Sequence, residues 1–210
     1  MQRSDQKQIA APWLVHKIFG QWPRVLEVKP PADGAPYMSG MWAYTQGSAH
    51  IAQKAFSQAR EHLTALEAFV ELSRKDAGQA GATPNARILE LAALSLRGEL
   101  LEATGDLDGA IKAFETGVAL EDLNNYTEPP DWPQPLRHYL GAALLKANRA
   151  ADAEAVYRRD LQWNHNNGWS LLGLQQALLA QGKTAAANIV KADFDTAWQY
   201  SNITLERSHL

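Results

Sequence analysis

Cysteine is absent from the 210 residues, so disulfides, thiol nucleophiles and cysteine-ligated metals are excluded. There is no surplus of positive charge either. Twenty Lys and Arg face 23 Asp and Glu, and the net charge of −3 provides no broad basic field for nucleic acid or anionic lipid. No apolar run approaches the roughly 18 residues that a spanning helix needs. The amino-terminal Met1-Gln-Arg-Ser-Asp-Gln-Lys-Gln lacks the apolar core of a secretory signal. The expectation is a chain with neither a nucleic-acid nor a membrane partner. Its compartment stays open, the cytoplasm favoured over the periplasm unless a leader or an amino-terminal part is missing. Phosphate-cradling glycine motifs, GxSxG elbows and HExxH pairs are missing too, and the six His include no i, i+4 pair, so no cofactor and no metal are expected.

What the chain does have is 46% apolar residues and seven Trp, enough for a substantial core. Wherever Pro and Gly do not interrupt it, the apolar rhythm is helical, as in Ile88, Leu91, Leu94, Leu96 and Leu101; no segment alternates like a strand. The breakers fall between such runs: Pro30 to Pro36, Gly78 to Pro84, and Glu128 to Pro135. Spacing predicts helices at 7–19, 37–53, 55–74, 85–104, 107–122, 134–147, 149–163, 168–181 and 183–199. They come in pairs joined by very short turns.

A shared ruler emerges on aligning the turns. Gly98, Gly105, Ala110 and Phe114 are matched by Gly141, Asn148, Ala153 and Tyr157, more weakly by Gly47, Lys54, Ala59 and Leu63, and by Gln175, Gly182, Ala187 and Lys191. The small residues let paired helices cross closely and the aromatic fills the gap, so a bulky residue there should cost about 1–3 kcal/mol. In this series the chain resembles the tetratricopeptide repeat (TPR) family, whose spacing Leu94-x3-Gly98-x2-Leu101-x3-Gly105-x4-Ala110-x3-Phe114 reproduces. Through Pro135-Leu-Arg-His-Tyr-Leu-Gly-Ala-Ala-Leu-Leu, Ala153-Glu-Ala-Val-Tyr-Arg-Arg-Asp-Leu, Asn167-Gly-Trp-Ser-Leu-Leu-Gly-Leu and Phe194-x3-Trp198, the segment Pro133 to Trp198 further resembles the carboxyl-terminal part of a group of bacterial tetratricopeptide proteins, which suggests the second half of a longer array.

The resemblance implies an all-α, right-handed superhelical solenoid of antiparallel helix pairs. Residues 1–36 would be a partial repeat and loop, 37–199 about four repeats with longer loops at 75–84 and 124–135, and 200–210 a tail. Family geometry places Met41, Tyr44, Ser48, Glu99, Glu102, His138, Trp169 and Gln176 on a concave groove formed by the first helix of each pair. With acids where the family's carboxylate clamps carry Lys, Arg and Asn, the expected occupant is a protein or peptide with apolar anchors and a basic residue, and catalysis is not expected. Three other readings remain: a helical hydrolase or a small-ligand protein using Glu99 and Glu102, and a self-associating segment based on the apolar last pair, which leaves a homo-oligomer possible. Asn167-Gly168 suits an inter-repeat turn, with Trp163 and Trp169 covering the joint.

Overall fold

The computed structural model describes residues 3–32, 35–76, 84–125 and 127–210. Among them it is all-helical, with ten helices and no strand: α1 (Arg3–Ile18), α2 (Trp22–Glu27), α3 (Pro36–Ala52), α4 (Phe56–Asp76), α5 (Pro84–Thr104), α6 (Leu107–Glu121), α7 (Leu136–Lys146), α8 (Ala150–Leu161), α9 (Gly168–Ala180) and α10 (Thr184–Trp198). Nine lie on the expected spans. The tenth, α2, is a single short helix opened by Pro23 and followed by the Pro30-Pro31 break, too brief for periodicity to reveal. Most of the loop expected at 75–84 lies outside the described residues.

The chain divides into two compact units, Met1–Pro133 and Gln134–Leu210. Three helix pairs form the first, and two pairs with the segment 199–210 form the second. All five pairs turn the same way. Lys54, Gly105, Asn148 and Gly182, the turn residues of the ruler, have φ of 58°, 96°, 60° and 73°, and Gly20, at the turn between α1 and α2, has 61°. At each, that residue's N–H bonds the carbonyl three residues back at 2.9–3.4 Å, and the next N–H bonds the carbonyl five back at 2.8–3.0 Å. This double closure satisfies carbonyls that a helix end leaves orphaned. The following carbonyl accepts the first bond of the next helix, from Val25, Ala59, Ala110, Ala153 or Ala187. Those five residues are all fully buried, because their side chains sit where the paired helices touch.

Lys54 holds the left-handed conformation with a side chain that disfavours it by about 1–2 kcal/mol, a cost that glycine avoids while losing part of the gain to chain entropy. Lys54→Gly should therefore stabilise the first unit by about 0.5–1 kcal/mol, read as a higher urea midpoint with unchanged slope.

Helix crossing follows the expected rule. A Cβ placed on Gly98 would overlap the Phe114 ring, and one on Gly141 or Gly173 would overlap the Tyr157 ring from opposite sides. Tyr157 is thus threaded between α7 and α9, fully buried. In the first unit α3 is the central element, packed by α1, α2, α4 and α5 and buried on most of its circumference. Gly40 and Gly47 admit Leu89 and Leu96 of α5 against it.

Glu154 of α8 ties the second unit together: it accepts from Lys183 at 2.7 Å, Arg158 at 2.8 Å and Gln181 at 2.8 Å. Chiefly the Lys183 bond, then that of Arg158 and more weakly that of Gln181, holds its carboxyl down to about 2 from 4.5, against the opposing effect of burial. A depressed carboxyl contributes stability that is complete above pH 4.5 and is lost as pH falls toward 2. The urea midpoint of the native chain should fall more steeply over that window than that of Glu154→Gln.

Candidate functional site

The eight residues that the resemblance places on a groove are brought to the first helices α3, α5, α7 and α9, but they do not form an open lining. Met41, Tyr44, Ser48, Glu102, His138 and Trp169 are buried, while Glu99 and Gln176 are only partly exposed. Tyr44, Glu99, His138, Trp169 and Gln176 are met by other segments of the same chain.

In the first unit the cover comes from α1 and from the stretch after α6. Lys17, 1% exposed, places its ammonium 3.3 Å from Glu99 Oε1 and 4.9 Å from the centre of the Tyr44 ring. The Tyr44 hydroxyl meets Ser95 Oγ at 3.1 Å, and Ser95 Oγ donates to Glu99 at 3.0 Å. Burial pushes the Tyr44 phenol above its ordinary value; Glu99 adds to the rise, and Lys17 and Ser95 oppose it. On the other side Trp132 packs on Tyr44 with ring centroids 5.5 Å apart, and its neighbour Asp131 pairs with Lys7 of α1. An indole and a basic group, of the apolar and cationic kinds expected of a partner, are here supplied in cis.

In the second unit α7, α8 and α9 converge on Asp160, 1% exposed. Ser170 Oγ donates to its Oδ2 at 2.6 Å, His138 Nε2 approaches the same oxygen at 3.3 Å, and Asn164 donates to Oδ1 at 2.9 Å. Burial alone would raise the Asp160 carboxyl. The hydrogen bond and charge of His138, with the Ser170 and Asn164 bonds, outweigh it and hold the carboxyl below its ordinary value. The residue types match a serine hydrolase, but the order does not. A nucleophilic hydroxyl must face the imidazole, which the acid orients from behind; here hydroxyl and imidazole both point at the acid, and His138 Nδ1 has no hydrogen-bond partner among the described residues. The arrangement fastens three helices.

Beyond these clusters, the segment after α10 lies along α7 and α9. Gln176 Nε2 donates to the Glu206 carbonyl at 2.8 Å, and Ser208 Oγ donates to the His138 carbonyl at 2.6 Å while meeting the Tyr157 hydroxyl at 2.6 Å. His209 stacks on Tyr139 at 4.3 Å. Trp169 meets Trp198 edge-on at 5.5 Å and covers the joint as expected, whereas Trp163 does not: it is 68% exposed, with Arg159 over its ring. The joint's second aromatic is Trp198, admitted because Gly168 has no Cβ to block it.

His50 and His62 stack at 5.3 Å with Trp42 edge-on to His62, a packed pair between α3 and α4. Among the described residues no three His, Asp or Glu side chains gather to hold a metal ion. A surface cleft of about 360 Å³ between α4 and α5 includes neither Glu99 nor Glu102, and its charges are paired, Arg74 with Glu71 and Glu90 and Arg97 with Glu67. No described helix is long and apolar enough to cross a membrane.

Lys17, Trp132, Asp160, Ser170 and Ser208 carry no spacing signal, since each acts only once helices distant in sequence are packed. Comparisons with protein-family models, curated proteins and solved structures yield no match for this chain.

Proposed function

We propose that this chain is a non-catalytic module that binds a protein or peptide, built as a tetratricopeptide-like solenoid whose first helices α3, α5, α7 and α9 carry the binding faces. The observation that carries the reading is that these faces, in each unit separately, already hold groups supplied from elsewhere in the same chain. Trp132 and Lys17 rest on Tyr44 and Glu99, and the segment 203–209 rests on Gln176, Tyr157 and Tyr139. A face that accepts a carbonyl, a hydroxyl, a cation and flat rings in cis has the chemistry to accept them from a partner.

The test is selection of displayed twelve-residue peptides on the full chain, followed by amide shift mapping of the enriched sequences. Shifts concentrated on α3, α5, α7 or α9 support the reading. Shifts confined to the second helices α4, α6, α8 and α10, or no enrichment at all, overturn it.

A further inference from the structure

Residues 199–210 form no helix, yet Leu205, Ser208 and His209 of the stretch are buried. Burial along it is uneven, and the backbone bends over 206–208. Leu205, Ser208 and His209 are buried and Ile203 and Arg207 partly covered, whereas Thr204, Glu206 and Leu210 are exposed. The covered face is fixed by specific partners. Trp198 Nε1 donates to the Ile203 carbonyl at 2.7 Å, Gln176 to the Glu206 carbonyl at 2.8 Å, Ser208 joins Tyr157 and the His138 carbonyl, and the His209 ring lies on Tyr139. Two of these partners are backbone carbonyls of the segment, the groups that any non-helical peptide offers. The Tyr157 hydroxyl reaches Ser208 only because its ring passes between Gly141 and Gly173, so the same two glycines that allow the helices to cross also deliver a hydrogen-bonding group to the face beyond them.

We propose that Ile203–His209 is an intramolecular peptide ligand that closes the α7–α9 face of the second unit. The same face then accepts, in trans, non-helical peptides of matching pattern: an apolar side chain followed three residues on by a hydroxyl and four residues on by a flat ring, as in Leu205, Ser208 and His209. This rests on the binding-module reading and adds to it a ligand class and a built-in competitor. A face occupied by its own tether presents only its open fraction, so the apparent affinity for an added peptide is reduced by that fraction, and loosening the tether restores it. A tether open about 3% of the time weakens external binding roughly thirtyfold.

The experiment uses the full chain and the double variant Ser208→Ala, His209→Ala, titrated with a fluorescein-labelled peptide of residues 203–210 and read by anisotropy. The variant's circular dichroism and melting curve report its fold. The expected result is saturable binding to the variant at least tenfold tighter than to the native chain, and competition by unlabelled peptide but not by a scrambled one. A folded variant that takes no peptide, or takes it no better than the native chain, overturns the inference. As a second route that leaves the ligand residues intact, a protease site inserted at the exposed Ser201-Asn202 is cut, and exchange of the severed segment for labelled peptide is followed; absence of exchange overturns the inference equally. A concentration-dependent dimer of the native chain, dissolved by the same variant, would assign the segment to a second copy and refute closure within one chain. Should the inference fail while peptide selection still maps to α3 and α5, the module reading survives without it; if selection also fails, both fall.

Discussion

Replacing Asp160 with Ala is expected to destabilise the second unit by about 3–5 kcal/mol, the usual effect of removing one member of a buried charged network. Three groups lose their acceptor at once: Ser170 Oγ at 2.6 Å, His138 Nε2 at 3.3 Å and Asn164 Nδ2 at 2.9 Å. Ser170 is fully buried and His138 is 1% exposed, so water cannot easily replace the lost partner. Hydrogen exchange of the α7, α8 and α9 amides measures the effect in this unit alone. Asp160→Asn should cost less, because the amide oxygen still accepts one bond. Protection falling equally in both variants would show that the negative charge, and not the shape of the hub, is what holds the helices.

Lys17→Met should cost the first unit about 3–5 kcal/mol, although a surface Lys is worth almost nothing. At 1% exposure the ammonium is fully surrounded, and without it the 10% exposed Glu99 side chain is left as a buried anion beside the Tyr44 phenol. The loss of charge, not of packing volume, should dominate, since Met fills much of the same space. Adding Glu99→Leu to Lys17→Met removes the stranded anion and should restore most of the stability. The coupling measured by urea unfolding of both single variants and the double would then be about 2 kcal/mol or more. Additive single effects would mean that Lys17 acts through its packing.

The hairpins were legible because their turns are local events. Lys54 and Asn148 take the left-handed position at which Gly20, Gly105 and Gly182 stand, and the distance from turn to buried Ala is set by helix geometry alone. The pairing of Gly98 with Phe114 and of Gly141 with Tyr157 was legible for the same reason, each pair spanning one hairpin. The state of the candidate face was not. Tyr44 and Glu99 sit where the spacing puts them, but what covers them comes from Lys17 and Trp132, far away in sequence and on no shared period. Gln176 and His138 were named for a partner's use, and their partners turned out to be the carbonyl of Glu206 and the side chains of Asp160 and Ser208. A repeat pattern records which residues face a groove. It carries no information about a non-repeating segment that fills it.

Sequence distance also separates the events of assembly. Each hairpin closes through a turn of a few residues, whereas Ser208 joins Tyr157 across 51 positions and His138 across 70. Loop closure over such spans is unfavourable until the helices already present a surface to receive the chain. The strap therefore belongs to the late side of the folding barrier, where an interaction governs how slowly a structure comes apart and hardly touches how quickly it forms. Loosening Ser208 should shorten the lifetime of the folded second unit and leave its rate of formation unchanged, making the segment a brake on unfolding.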